Sequence, residues 1–317
     1  MNEPIRHPDG IAVVDTHYLR PRLAAAHLLV HGGRAAIVDT GTSHAAPRIL
    51  AALAGRGIAP AAVDWLFLTH VHLDHAGGAG QLLRALPNAR AVLHPRGAPH
   101  LIDPSRLIAS SIEVYGSERY AQLYGEILPL DPARVLVTAD GQRLELAGRA
   151  FEFLHTPGHA LHHQAILDHG SRSVFTGDAF GMAYPEFTID GRAFIVPTTT
   201  PTQFDPQQML ASIERIAALQ PQALYLTHYG RVTDVPRLAT ALAHQVREFV
   251  RIAEAQAGAT DPPAAIRSGL RALWIGLARA HGCAAPERMV DELLRSDVEL
   301  NTDGLVAWLA RRKPRTG

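Results

Sequence analysis

The sequence predicts a layered α/β fold, and three observations carry that prediction. Short apolar runs alternate with alanine-rich helical stretches, the pattern of helices packed on sheets. Two early runs flank a Gly32-Gly33 turn and read as a hairpin. Several runs end abruptly in residues that can hold a metal, which puts a site at one edge of a sheet.

Taken in order, Ile11–Val14, Ala25–Val30 and Ala35–Val38 read as strands, the last closing on Asp39-Thr40-Gly41. Ala45–Leu53 reads as a helix stopped by Gly55 and Gly57. The strand Trp65–Leu68 runs into Thr69-His70-Val71-His72-Leu73-Asp74-His75, followed by a helix at about 80–86 and a strand at Ala91–His94. Residues 95–130 carry three prolines and a helical stretch from Ser117 to Ile127. Tyr120 and Tyr124 share one face of that stretch, at i and i+4. It is either a cap over a site or a surface helix packed on its tyrosines. Val135–Val137 and Leu144–Leu146 read as short strands around Asp140-Gly141. Phe151–Leu154, Ala165–Leu167, Ser173–Phe175 and Ala223–Leu226 complete the β pattern, with residues 180–204 as loop. A helix at 206–219 starts from Asp205-Pro206 as N-cap and first-turn proline. Beyond Tyr229 the strands stop, and helices are expected at 235–257, 262–281, 286–295 and 303–312. This organisation implies a catalytic part over 1–233 and a helical extension over 234–317.

Composition narrows the function. With 317 residues, 47% of them hydrophobic, the chain can build a sizeable core. A formal net charge of zero offers no global field for nucleic acid or an acidic membrane. The single cysteine, Cys283, excludes an internal disulfide or a cysteine-based zinc knuckle. No apolar run reaches the ~18 residues of a membrane span, and residues 1–10 have no signal-peptide core, so a cytoplasmic protein is expected. The basic end, Arg311–Arg315, reads as a solvated tail.

Eighteen histidines is a high number, and the strand ends gather the informative ones: His70, His72, His75, His159 and His228, with Asp74 and Asp178. Imidazole nitrogen and carboxylate oxygen suit zinc, iron or manganese. Seven donors exceed the four of one tetrahedral zinc and match two ions that share a bridging carboxylate.

T-H-x-H-x-D-H at 69–75, T-P-G-H at 156–159, T-G-D at 176–178 and T-H at 227–228 resemble the motifs of the metallo-β-lactamase superfamily, in its order and spacing, over roughly residues 11–230. The resemblance implies an αββα sandwich with the site at one edge, here with a C-terminal helical extension. It implies that His70, His72 and His159 hold a first metal, that Asp74, His75 and His228 hold a second, and that Asp178 bridges them. The ions would be two divalent metals, zinc first and iron or manganese next. Asp74 would also relay a proton to the leaving group. Asp39 looks like the family's aspartate that orients a ligating histidine, and His163 like a supporting histidine. His162, His17, His27, His31, His94 and His100 read as structural or solvated, and His162 as a surface residue.

Within the superfamily, Asp74 and Asp178 together with the missing leader argue against secreted β-lactamases. The absence of a flavodoxin-like part argues against flavodiiron proteins, and the neutral charge against nucleases. The glyoxalase II-like branch remains: hydrolysis of a thioester, ester or lactone in a small-molecule substrate. Phe175–Gly181 and Pro197–Pro201 resemble glyoxalase II-like proteins without an assigned substrate. Tyr184 and Tyr229, near Asp178 and His228, are candidate donors to substrate. The rival is a mononuclear iron persulfide dioxygenase, which shares much of the motif pattern. The apolar C-terminal helices, with Trp274 and Trp308, either cover the catalytic part or form a homodimer face.

Overall fold

The computed structural model describes residues 4–7, 9–200 and 203–312. Pro201 and the basic residues Lys313 to Arg315 lie outside the described residues. The described chain divides into two compact units. The first holds residues up to 155, 162–177 and 221–233. The second holds 156–161, 178–220 and 234 onward.

The first unit contains two sheets. One runs in the order β1 (Ile5–Arg6), β2 (Ile11–Asp15), β3 (Ala25–His31), β4 (Arg34–Val38), β5 (Val63–Phe67), β6 (Arg90–Leu93), β7 (Val135–Val137). In the other, β8 (Gln142–Leu146) is an outer strand, followed inward by β9 (Arg149–His155), β10 (Gln164–Asp168), β11 (Ser173–Gly177), β12 (Ala223–Leu226) and β13 (Gly230–Val232). The β3–β4 turn is tight because His31 pairs with Arg34 and both glycines between them take positive φ, +54° and +74°. Only glycine adopts that pair of angles at low cost, and it gives the twist a two-residue hairpin needs.

From β4 to β7 the strands are parallel, and β11 is parallel to β12. Their carboxyl ends therefore line up, and those ends carry Asp39, Thr69-His70, Asp178 and Thr227-His228 in the sequence. Between the sheets lies an aromatic core that includes Phe67, Phe151, Phe153, Phe175 and Tyr225. The outer face of the first sheet is covered by α1 (Ala46–Ala54), α3 (Ala79–Ala85) and α4 (Ala98–Ile102), the short α2 (Leu73–Ala76) preceding α3. α5 (Ser105–Tyr115) and α6 (Ser117–Tyr124) complete this unit. The second unit is helical: α7 (Pro206–Ala218), α8 (Val235–Gln256), α9 (Pro262–His281), α10 (Pro286–Leu293) and α11 (Arg295–Arg312).

Three sequence expectations are corrected. The strands do not stop at Tyr229, because Gly230–Val232 turns back to pair with β12. The helix expected from 303 begins at Arg295. Within the stretch read only as proline-bearing, Ser105–Tyr115 forms α5, none of whose residues is fully buried. The two short strands around Asp140-Gly141 separate, β7 joining the first sheet beside β6 and β8 the second beside β9. Elsewhere the agreement is close, and Asp205 does cap α7, its carboxylate accepting from the Gln208 amide at 2.9 Å.

Two buried polar groups inside the sandwich carry measurable consequences. Arg149, from β9, meets the Asp168 carboxylate from β10 in a bidentate pair, which also accepts from the Gly170 amide at 3.0 Å. Removing one partner leaves an uncompensated buried charge, which typically costs about 3–5 kcal/mol. Asp168→Ala should lower the unfolding free energy by about that amount, read from urea midpoints; a change under about 1 kcal/mol would contradict the reading. His27 is wholly buried between Phe175 and Tyr225, its ring centroid 5.4 Å from each. Burial, which penalises the charged ring, lowers its pKa to about 4. The unfolded chain then binds a proton, near pH 6.5, that the folded chain refuses until about pH 4. His27 thus favours the fold above pH 6.5 and loses stability as pH falls toward 4, by up to about 3 kcal/mol. Denaturant titrations at pH 7 and pH 4.5 should show this loss, and His27→Phe should diminish it.

Candidate metal site

β5 ends where Leu68 and Thr69 leave the sheet, and the chain enters α2 through His70-Val71-His72. A close approach makes this turn possible. A Cβ on Gly78 would sit 2.8 Å from the Thr40 carbonyl and 2.9 Å from that of Thr42, so only glycine lets α2 abut the 40–42 loop. The loop in turn grips α2: the Thr40 amide donates to the His75 carbonyl at 2.6 Å and its hydroxyl at 2.9 Å.

Asp39 is the hub beneath. Its carboxylate, fully buried, accepts from the Thr69 amide at 2.8 Å, from the Thr69 hydroxyl at 2.9 Å and from the Thr227 hydroxyl at 2.8 Å. It also lies 3.0 Å from Nδ1 of His75. Asp39 takes a φ of +54°, which aspartate tolerates better than most residues.

Three motif histidines of the first unit have one ring nitrogen held from behind. His75 is held through Nδ1 by Asp39, and its Nε2 lies 3.7 Å from the Asp74 carboxylate. His228 is held through Nδ1 by the Leu23 carbonyl at 2.9 Å, and its Nε2 lies 3.5 Å from the same carboxylate. His70 meets the Thr69 hydroxyl at Nδ1, 3.1 Å away, and turns Nε2 to within 2.8 Å of Nδ1 of His72. This is how metal-binding imidazoles are built: one nitrogen anchored, the other presented. Two donors on one tetrahedral ion with ~2.1 Å bonds lie about 3.4 Å apart, so the spacing of Asp74, His75 and His228 fits a shared ion. Their donor atoms all lie within 4.8 Å of one another.

The other two motif residues belong to the second unit. There Nε2 of His159 is 3.4 Å from the Asp178 carboxylate, and Nδ1 meets the Thr198 carbonyl at 3.3 Å. The glycine of T-P-G-H has a physical cause: Gly158 has φ +127°, and a Cβ there would meet the Met209 amide nitrogen at 2.3 Å. The glycine of T-G-D has another. A Cβ on Gly177 would meet Nε2 of His163 at 2.5 Å and Thr69 at 2.8 Å.

His163 is fully buried, its ring 5.0 Å from that of His70. His162 is not a surface residue, which corrects the sequence reading. It is 6% exposed, and its ring lies 5.4 Å from His72 and 6.1 Å from His70. Gly97 packs tightly on Val71, which a Cβ would approach to 2.7 Å, with His162 in ordinary contact beside it. His94 and His155 also pair, with centroids 4.1 Å apart. Tyr229 is packed in the core between the sheets, and the Tyr184 hydroxyl reaches the Asp297 carboxylate at 3.3 Å. The anchoring threonines were missed from sequence. Their signal was the repeated Thr-His pair, 69–70 and 227–228, in which both threonines bond Asp39.

A family model described as the metallo-beta-lactamase superfamily matches residues 19–228. The chain belongs to the metallo-β-lactamase superfamily. It is 30% identical over 240 residues to a hydroxyacylglutathione hydrolase of Acidiphilium cryptum, covering 73% of this chain and 77% of that one. It is 28% identical over 175 residues to a metallo-beta-lactamase fold-containing protein of Sulfurisphaera tokodaii, over 54% of this chain and 62% of the relative. Among solved structures, a metallo-beta-lactamase family protein from Thermus thermophilus aligns with TM-score 0.65 at 21% identity, covering 95% of this chain and 93% of the other. That likeness shows the fold, a metallo-β-lactamase sandwich accompanied by C-terminal helices. No helix among the described residues is long and apolar enough to cross a membrane.

Asp39→Asn keeps the side-chain shape but weakens the acceptor that orients His75. Loss of such an orienting partner typically costs 10–100-fold in metal affinity. Zinc affinity measured against a chromophoric chelator should fall by about that factor with unchanged circular dichroism. An unchanged affinity would remove Asp39 from this role.

Proposed function

We propose that the protein is a metal-dependent hydrolase that cleaves a thioester, ester or lactone with two divalent ions, zinc first among them. One observation carries this reading: the Asp74 carboxylate faces Nε2 of both His75 and His228, while Nδ1 of each ring is tied elsewhere. That is a second donor set, additional to His70, His72, His159 and Asp178, which the mononuclear iron alternative would also carry. The identity to a hydroxyacylglutathione hydrolase supports thioester chemistry.

In this reading His70, His72 and His159 would hold one ion, Asp74, His75 and His228 the other, and Asp178 would be shared between them. When bound, the ions would supply a hydroxide at neutral pH by lowering the pKa of water to about 7 and would polarise the carbonyl. Hydrolysis of the carbon–sulfur or carbon–oxygen bond would consume one water, its oxygen ending on the acid and its proton on the leaving thiol or alcohol. Asp74, 22% exposed at its side chain, holds that proton on its carboxylate and passes it on. Asp39 keeps His75 in one tautomer throughout.

Metal analysis of purified protein, joined to a panel of thioesters, lactones and phosphodiesters, tests the proposal. The expected result is about two zinc, manganese or iron ions per chain, carbonyl-ester or thioester turnover, and a fall of at least about 100-fold in His70→Ala. A single iron with oxygen uptake on glutathione persulfide would replace the hydrolase with a dioxygenase. Full activity in His70→Ala would refute the metal mechanism.

A further inference from the structure

α2 presents Asp74 and His75 to the candidate metal site, but its first residue, Leu73, belongs to a separate cluster with Tyr120, Leu123, Tyr124 and Ile127. Tyr18 packs on the same cluster. Its ring stacks on Tyr124 with centroids 6.0 Å apart, and its hydroxyl donates to the Tyr124 hydroxyl at 3.3 Å. Tyr115 stands edge-on to Tyr124 at 5.9 Å and is 43% exposed. Four tyrosines, two leucines and an isoleucine thus form a wall next to Asp74 on α2.

Both segments that build the wall are held in place. Asp15 accepts from the amides of His17 and Arg22, each at 3.0 Å, which fixes the loop carrying Tyr18. The Ser43 hydroxyl donates to the Tyr124 carbonyl at 2.6 Å, and His44 meets the Ala121 carbonyl at 3.2 Å. Glycines of positive φ, Gly116 and Gly125, bound α6. Tyr120, Leu123, Tyr124 and Ile127 are buried, and the cluster meets solvent at its rim through Tyr115. Of the seven large apolar side chains exposed among the described residues, three lie on these segments: Leu19, Val114 and Tyr115. Scattered exposed apolar residues need no explanation, but three beside an aromatic cluster at a candidate active site do.

We propose that this wall is the acyl subsite, and that it selects substrates with an apolar acyl or aryl group, the Tyr18–Tyr124 hydroxyl pair giving the acyl portion its hydrogen-bond donor. The inference rests on the hydrolase reading for the reaction but not for the binding. Burial, with the charge of Asp74 adding to it, pushes both hydroxyls upward in pKa, so they stay protonated and able to donate. The cluster itself is built of aromatic rings, leucines and an isoleucine, which suits an apolar chain.

The test uses two probes on the metal-loaded protein. The first is a series of S-acyl-N-acetylcysteamine thioesters from acetyl to decanoyl, for kcat/KM. The second is calorimetric binding of the corresponding fatty amides, which are neutral and resist hydrolysis. A one-sided wall recovers about half of full methylene burial, so affinity should improve about twofold per added CH2. Tyr115→Ala, at an exposed position, should flatten that dependence in both series. Tyr18→Phe and Tyr124→Phe retain the rings and should lower amide affinity about three- to tenfold without altering the slope. Chain-length-dependent amide binding without turnover would retain the subsite and discard the hydrolase. Turnover with a flat chain-length profile, or a slope unchanged in Tyr115→Ala, would overturn the subsite and leave the hydrolase standing.

Discussion

A single buried carboxylate organises the first unit's part of the site. Asp39 ends β4, yet it accepts from Thr69 past β5 in the same sheet and from Thr227 past β12 in the other. Its contacts therefore join the carboxyl ends of both sheets, and its last contact turns His75. A carboxylate this deep is stable only with its acceptor sites filled, and hydrogen bonds to a charged group are about twice as strong as neutral ones. The same interaction thus settles where the two sheets end relative to each other and which nitrogen His75 offers. Stability and ligand geometry cannot be separated at this residue.

Much of this was legible in the residues, for reasons that differ by element. The strand cores were readable because β4 and β12 are buried nearly throughout and appear as apolar runs, while β5 and β11 carry shorter apolar runs, Trp65–Phe67 and Val174-Phe175. The motifs were readable because several imidazoles and carboxylates at strand ends have no packing explanation. The failures are equally physical. β13 is three residues long and earns its place only through pairing with β12, which no local pattern encodes. β7 and β8 are separated by four residues yet join different sheets, β7 at a parallel edge and β8 at an antiparallel one, a split absent from any local pattern. α5 lies on the surface with no fully buried residue, in a stretch whose three prolines masked it. His162 is buried among His70, His72 and His100, partners distant in sequence.

The second unit shows why a helical tail is present at all. His159 is held from behind by Thr198, and its carbonyl accepts from the Thr200 hydroxyl at 2.8 Å. That threonine run has little structure of its own. It is gripped by the C-terminal helices: Gln245 of α8 donates to the Ile195 carbonyl at 2.7 Å, and Trp274 of α9 locks that glutamine at 3.0 Å. Arg311 of α11 donates to the Phe204 carbonyl at 2.7 Å. A Cβ on Gly304 would be 2.1 Å from the Thr199 hydroxyl, so α11 lies directly on the run. Within this unit, the helices supply rigidity to a loop that must fix an imidazole.

α2, four residues long, stands between two sets of contacts in the first unit. Leu73 faces the tyrosine cluster, Asp74 faces His75 and His228, and His75 faces Asp39. The tyrosine cluster and the Asp39 hub therefore meet on consecutive residues of one short helix. The rings of His70, His75 and His228 are held by Thr69, Asp39 and the Leu23 carbonyl, none of which belongs to α5 or α6. Sequence changes in α5 and α6 therefore reach α2 through Leu73 without touching the groups that anchor the rings.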